Sequence, residues 1–350
     1  EAAALTELIS PRRILSDETG PAHRFSSAME RYGVVASYLE KLCAERTVVM
    51  CLDDVQWSLE ALGFVRYILT QHTRNLPILI LMTARAEAVA KLPHIVHVFE
   101  QFEKLENFTS HEIGPLAQDH QRELLENLLS LRPEVADTVL ELTGGTPLFA
   151  VQLVDDWVVR GKLKVTDTGF AIDRARAQEL PTDLSELIDQ RLAYLLGEFP
   201  KGTLLALELA ATLGRAVAQE EWEELCDRAR CEIPEGLIGA MIKANLAARE
   251  ENGWQFAHDK IIDVLIASSK FHERWLEHNA LVAEMVHEQH PHNDRGAAMR
   301  RAEHLIVAQR WEEALEAVMT ALYIAVDFGH YERIDPLISS YEQCMSELEL

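Results

Sequence analysis

The run Thr47-Val48-Val49-Met50-Cys51-Leu52 ends in two adjacent carboxylates, Asp53 and Asp54. At the C-terminal end of a buried parallel strand, carboxylates stand where α/β sheets bind ligands. One carboxylate there can hold Mg²⁺ through its water shell, because Mg²⁺ keeps several waters and takes few protein ligands. Its neighbour can orient or deprotonate a water for attack on a γ-phosphate. A strand followed by a helix N-cap explains the same pair equally well, since Asp is a good cap.

A second apolar run, Ile78 to Met82, closes on Thr83-Ala84-Arg85. If the two strands are neighbours, Thr83 and Arg85 lie beside the carboxylates. Arg85 could then read a γ-phosphate through charge-assisted hydrogen bonds, or simply be a solvated arginine at a strand end. Thr143-Gly144-Gly145-Thr146-Pro147 ends one helix on glycine and starts the next on proline, which is structurally sufficient. His258, in Phe256-Ala257-His258-Asp259, reads by itself as a packed or surface histidine. His287, His290 and His292 have a spacing that could bind a metal, but Pro291 interrupts them and a polar interhelical loop is the simpler reading.

The elements that must position these residues are legible in the patterning. Residues 1–46 read as helix, broken near Ser10-Pro11 and Gly20-Pro21. Both apolar runs are continuous rather than alternating, which predicts strands buried on both faces of a parallel sheet. A helix over Leu59–Thr73, stopped at Asn75-Leu76-Pro77, joins them, and a third short strand is expected around Phe108–Ile113. Beyond Pro115 the pattern is helical apart from two hairpins. One spans Lys162–Ile172 around Thr166-Asp167-Thr168-Gly169. The other spans Leu246–His258 with Glu251-Asn252-Gly253 at its tip. Helices over Lys201–Leu213, Gln219–Asp227 and Glu235–Ala244 before that second hairpin give the order of a winged helix. From His272 onward paired helices follow, at Ala297–Gln309, Trp311–Val326 and Tyr331–Leu348. Ala302, Ala308, Ala314, Ala317 and Ala321 supply small residues for helix contacts, as in tetratricopeptide (TPR) arrays. The fold class is therefore α/β followed by mostly α.

Composition bounds the function. The 350 residues hold 57 Asp+Glu against 33 Lys+Arg, a formal charge of −24. Such a chain repels phosphate backbones, and the acidic Gln219–Glu224 lies where a DNA-reading winged helix wants Lys and Arg. Direct nucleic-acid binding is not expected. Five cysteines, at 43, 51, 226, 231 and 344, make no C-x-x-C, which fits a reducing compartment. The longest apolar run, Leu76 to Thr83, is too short to span a bilayer, so a cytoplasmic location is expected.

Taken in order, these motifs resemble STAND-type P-loop ATPases (signal-transduction ATPases with numerous domains). Val49–Trp57 resembles their Walker B segment and Leu81–Arg85 their sensor 1 strand. Gly145-Thr146-Pro147-Leu148-Phe149 resembles the Gly-x-Pro segment, whose proline packs near adenine. Residues 181–270 resemble the winged-helix domain, and His258 matches the histidine that contacts the ADP β-phosphate. The resemblance covers residues 25–350 and is nearest to the AAA-like module of bacterial LuxR-type regulators, multidomain Ser/Thr kinases and adenylate cyclases. It implies ATP/ADP and Mg²⁺ as cofactors, with Asp53, Asp54 and Arg85 catalytic and Asp53 also holding the metal. Thr83, Gly145, Pro147 and His258 would bind nucleotide. Implied domains are 1–115 (nucleotide-binding α/β), 116–180 (helical with hairpin), 181–270 (winged helix) and 271–350 (TPR-like, for protein partners).

One departure is sharp. The only Gly-Lys pair is Gly161-Lys162, followed by Leu163 and lying beyond the Walker B segment, so no G-x-x-x-x-G-K-[ST] loop is present. The start at Glu1 and the unfinished repeat array make a piece of a longer protein the expectation, inactive alone. A degenerate, non-enzymatic scaffold is one alternative. A DNA-binding regulator acting through an effector domain outside these residues is another.

Overall fold

The computed structural model describes residues 2–9, 25, 27–70, 76–167, 169–173, 181–290, 296–327 and 334–349. The chain divides into two compact units: residues 1–111 with 286–350, and residues 112–285. The expected breaks at Ser10-Pro11 and Gly20-Pro21 lie outside the described residues, as do Asn75, Thr168, His292 and Tyr331.

The first unit opens with α1 (Ala2–Ile9) and α2 (Ala28–Glu45). Ser27 caps α2, its Oγ accepting from the Glu30 N–H at 3.2 Å. Then follow β1 (Val48–Leu52), a 3₁₀ turn (Val55–Trp57), α3 (Leu59–Thr70), β2 (Ile78–Met82), α4 (Ala86–Val89) and α5 (Pro93–Phe102). β1 and β2 pair in parallel, Val48 opposite Ile78 and Leu52 opposite Met82. Val55, Leu62, Val65, Ile95 and Phe102 form the core, with Leu52, Ile80 and Met82 of the strands packed against it. Arg31, buried on α2, donates to Glu60 of α3 at 2.9 Å.

Two expectations are corrected here. The strands are not buried on both faces: Val49, Leu79 and Leu81 are 58%, 51% and 50% exposed, and Cys51 is exposed beside them. The physical reason is that the core of the unit covers only one side of this two-stranded sheet. Nor is there a strand at Phe108–Ile113. Phe108 stacks near Phe102 at 5.5 Å, but the backbone has no ladder partner and Ile113 is 94% exposed.

The second unit contains two cores. α6 (Gln118–Leu128), α7 (Pro133–Thr143), α8 (Pro147–Val159) and the hairpin β3 (Leu163–Thr166)–β4 (Gly169–Ile172) surround Leu125, Val139, Leu153 and Trp157. The other core is built by α9 (Leu184–Leu196), α10 (Thr203–Leu213), β5 (Ala216–Ala218), α11 (Gln219–Arg228), α12 (Leu237–Lys243), β6 (Ala247–Glu250), β7 (Gly253–Phe256) and α13 (Asp259–Phe271). Trp222, Trp254 and Phe256 fill its centre, and the buried Trp222 indole donates to the Ala206 carbonyl at 2.7 Å. α9 serves both cores, Leu187 facing one and Ile188 the other. Three residues, Ala216–Ala218, add a strand that the sequence reading did not anticipate. β5 pairs antiparallel with β7, giving the order β5-β7-β6. A Cβ at Gly253 would lie 2.1 Å from the Val217 carbonyl oxygen, so the glycine of the Asn-Gly tip also admits that third strand.

α14 (Trp275–Gln289) carries the chain from the second unit back to the first, followed by α15 (Ala297–Val307), α16 (Trp311–Asp327) and α17 (Ile334–Glu347). α15 packs on α16 and α16 on α17. Ala302, Ala314, Ala317 and Ala321 are buried as their spacing required, while Ala308 is half-buried at the end of α15. His287 belongs to the last turn of α14 rather than to a loop, with His290 just beyond it.

Candidate functional site

Parallel pairing with Leu52 opposite Met82 brings Asp53 and Thr83 together past the ends of their strands. The ladder runs one step further: the Thr83 N–H donates to the Leu52 carbonyl and the Val55 N–H to the Thr83 carbonyl, both at 3.0 Å. Between them Asp54 adopts the left-handed conformation, φ 53°, which Asp tolerates better than most residues. That turn aims the Asp54 N–H at Thr83 Oγ1, 2.9 Å away, while the Thr83 hydroxyl donates to Asp53 Oδ1. Thr83 thus ties the two aspartates into one geometry.

The Asp54 carboxylate does not cap a helix. Its Oδ1 accepts from Gln56 Nε2 at 2.9 Å and faces Arg85 Nε at 3.3 Å. Ser58 is the residue that caps α3, its Oγ accepting from the Ala61 N–H at 3.2 Å. Gln56 is buried, and its Oε1 accepts from the Arg85 backbone N–H at 3.4 Å, so one amide orders both partners. Trp57 lies under the Arg85 guanidinium, 5.8 Å from ring centroid to Cζ. Nothing in the sequence alone assigns Gln56 and Trp57 a role. Their one signal was position, two and three residues past the carboxylates. The cluster offers hard oxygen donors from Asp53, Asp54 and Thr83, the ligand type that Mg²⁺ takes.

Gly145 and Pro147 lie in the second unit. Gly144 ends α7 at φ 54° and Gly145 follows at φ 81°. A Cβ at position 145 would stand 2.5 Å from Gln121 Nε2 and 2.9 Å from the Pro115 side chain, so close packing demands glycine there. Pro147 opens α8 at its first turn. The recess beside it, lined by Leu116, Gln121, Leu140 and Ala150, has a volume of about 10 Å³, room for one water and not for a purine.

His258 precedes α13 at its N-cap. Both ring nitrogens are buried and neither has a hydrogen-bond partner among the described residues. Burial pushes its pKa down, with Arg191 and Arg215 adding to the effect and Asp259 opposing it. Buried ring nitrogens without partners call for an explanation in a folded protein. Arg191, buried on α9, was not singled out in the sequence. It reaches Gln152 and Asp155 (2.9 Å) of α8 and the Ala244 carbonyl (2.5 Å) at the end of α12. The available signal was a charged residue inside the apolar stripe Leu187, Ile188, Leu192, Leu195.

Asp53, Asp54, Thr83 and Arg85 thus form one cluster in the first unit, while Gly145, Pro147 and His258 belong to the second. The fold has a counterpart among solved structures. The crystal structure of a STAND protein with a tetratricopeptide-repeat sensor from Pyrococcus horikoshii matches 91% of the chain with a TM-score of 0.50 and 15% sequence identity. This chain spans 41% of that protein's length. A Walker-type ATPase of Pyrococcus abyssi matches 66% of the chain and 67% of its own length, with a TM-score of 0.30 and 18% identity. No family model and no curated protein matches the sequence. At 15% identity the likeness to the Pyrococcus horikoshii structure concerns the fold alone. No described helix is long and apolar enough to cross a membrane.

Proposed function

We propose that the chain is the regulatory switch portion of a STAND-type ATPase, with its phosphate-binding loop supplied by a segment other than these residues. The observation that carries this reading is the Asp53–Thr83–Asp54–Arg85 cluster at the ends of two parallel strands. Two features support a missing neighbour. The 350 residues contain no G-x-x-x-x-G-K-[ST], and the parallel sheet leaves Val49, Leu79 and Leu81 uncovered although parallel sheets are ordinarily covered on both faces.

In this reading Asp53 holds Mg²⁺, aligned by the Thr83 hydroxyl, and Asp54 orients the attacking water. The metal, when bound, supplies charge neutralisation on the phosphate oxygens. Arg85 reads the γ-phosphate by exchanging its Asp54 contact for a phosphate oxygen. His258 answers the β-phosphate of ADP with ring nitrogens that lack partners among the described residues. Adenine contact at Pro147 needs a wall other than the water-sized recess. Residues 181–270 act as a winged-helix packing module, their exposed Glu220 and Glu223 being unsuited to DNA. The helices α15–α17 act as a TPR-like surface for protein partners. Met319, Tyr323 and Val326 form an exposed apolar stripe on α16 at helical spacing. ATP and ADP would then favour different packings of these parts.

A non-enzymatic scaffold is favoured by Gly145 and Pro147, whose local geometry is complete without a ligand. Calorimetry and thermal-shift titration with Mg²⁺·ADP separate the readings. The switch predicts weak binding, with a dissociation constant of about 1 mM, lost in His258→Ala and Asp53→Ala. Micromolar affinity would refute an external phosphate loop, and no shift at all at about 10 mM nucleotide would support the scaffold.

A further inference from the structure

Helix α11 ends in a Schellman motif. Arg230 takes the left-handed conformation at φ 53°, its N–H donates to the Asp227 carbonyl at 3.1 Å, and the Cys231 N–H donates to the Cys226 carbonyl at 2.8 Å. This geometry places the side chain two residues past the helix cap against the side chain one turn back. The same pair of bonds closes α8, α12, α13 and α15. The residues so opposed there are Lys162 with Trp157, Leu246 with Met241, Arg274 with Ser269, and Arg310 with Leu305. Only at α11, among these five ends, are both residues cysteine.

The Cys231 N–H to Cys226 carbonyl bond sets these two side chains opposite one another at the helix end, and both are free thiols. Cys226 lies in the core beside Trp222 and Leu237, whereas Cys231 is half-buried and borders the Gly202 carbonyl at 3.7 Å. A disulfide needs Cα atoms about 4.4–6.8 Å apart, a separation compatible with two residues joined by a direct backbone hydrogen bond.

We propose that Cys226 and Cys231 are a disulfide-forming pair, a two-electron oxidation site at the end of α11. With a peroxide as oxidant, the Cys231 sulfur attacks the O–O bond. Its thiol proton leaves with the departing oxygen as water, and a sulfenic acid remains. The Cys226 sulfur then attacks that sulfur, and a second water carries off the hydroxyl and the Cys226 proton. One peroxide is reduced to two waters while two thiols become one disulfide. Burial pushes the Cys226 thiol up to about 12 and raises Cys231 as well, so the pair rests protonated and waits on strong oxidant. Once formed, the bond fixes the end of α11 to the segment that leads into α12. A lone C-x₄-C spacing is not diagnostic in sequence; the left-handed Arg230 sets its two cysteines opposite one another.

The test is oxidation of the folded full chain in a Cys51→Ser background, which removes the exposed thiol able to link two molecules. Diamide or hydrogen peroxide is added, free thiols are blocked, and the protein is digested with trypsin. Trypsin cuts after Arg228 and Arg230, between the two cysteines, so an intrachain bond joins two peptides that separate on reduction. The expected result is that linked pair as the main oxidised product, absent in Cys231→Ser. Recovery of Cys226 and Cys231 as separate blocked peptides under saturating oxidant, or a Cys231 adduct without linkage, would overturn the proposal. The wild-type map decides it even if the serine variant folds poorly.

Discussion

Arg85 Nε stands 3.3 Å from Asp54 Oδ1, the same oxygen that Gln56 Nε2 donates to at 2.9 Å. The arginine and the carboxylate assigned to phosphate and water chemistry are therefore each other's partners in this structure. Both are partly exposed, so water screens the pair and a phosphate could compete for the guanidinium at modest cost.

Replacing Arg85 with Ala should consequently destabilise the chain by less than about 1 kcal/mol. Denaturant unfolding followed by far-UV circular dichroism checks this. A loss well beyond that figure would make Arg85 a structural residue and remove it from the nucleotide reading.

The pair Glu208–Arg274 should behave oppositely. Glu208 is fully buried on α10, and Arg274, just before α14, donates to both its oxygens at 2.9 and 2.8 Å. The Ser268 hydroxyl adds a third bond at 2.8 Å. Arg274→Ala strands a buried carboxylate and should cost about 3–5 kcal/mol. Arg274→Met with Glu208→Leu should recover much of that loss, because neither charge is then left alone. Fluorescence of Trp222 and Trp254, which sit in the same core, reports the unfolding of this region.

These contrasts show what was legible beforehand. Asp53 and Thr83 could be placed together because each ends an apolar run, and a parallel pair aligns such ends. Gly144, Gly145 and Pro147 marked a helix stop and start by conformational preference alone. β5 is not legible in the sequence because three residues carry no periodicity, and its pairing depends on Gly253 admitting it. The covering of the sheet is not legible in the sequence for a related reason. A continuous apolar run states that both faces avoid water, but it does not state what covers them, and here only one face is covered. Arg191, Glu208 and Arg274 were invisible because a buried ion pair joins residues far apart in sequence, and each alone looks like a surface charge.

His278 gives a pH signature. It is buried on α14 beneath Ser269, whose Oγ lies 3.1 Å from Nδ1, and burial pushes its pKa down to about 4, with Arg274 adding and Glu208 opposing. In the unfolded chain the ring titrates near 6.5. The unfolded state therefore takes up a proton first as pH falls. Stability is full above about 6.5 and declines between about 6.5 and 4. Between pH 7 and 5 wild type should lose about 2 kcal/mol more than His278→Asn. Parallel pH profiles for the two proteins would show that the ring is already solvated or partnered in the fold.

His258 supplies the most direct test of a site kept ready for a ligand. Its two ring nitrogens are buried without partners among the described residues, and burial, with Arg191 and Arg215 nearby, pushes its pKa down. An unanswered donor and acceptor in the interior cost about 1–3 kcal/mol relative to a satisfied or apolar side chain. Replacing the ring with leucine removes that cost while filling most of the space. His258→Leu should therefore raise the unfolding midpoint of the ligand-free chain and abolish any added protection by Mg²⁺·ADP. This pairing of gained stability with lost response marks a residue retained for binding. A merely structural histidine gives the reverse, since its removal would lower stability and leave the nucleotide response unchanged.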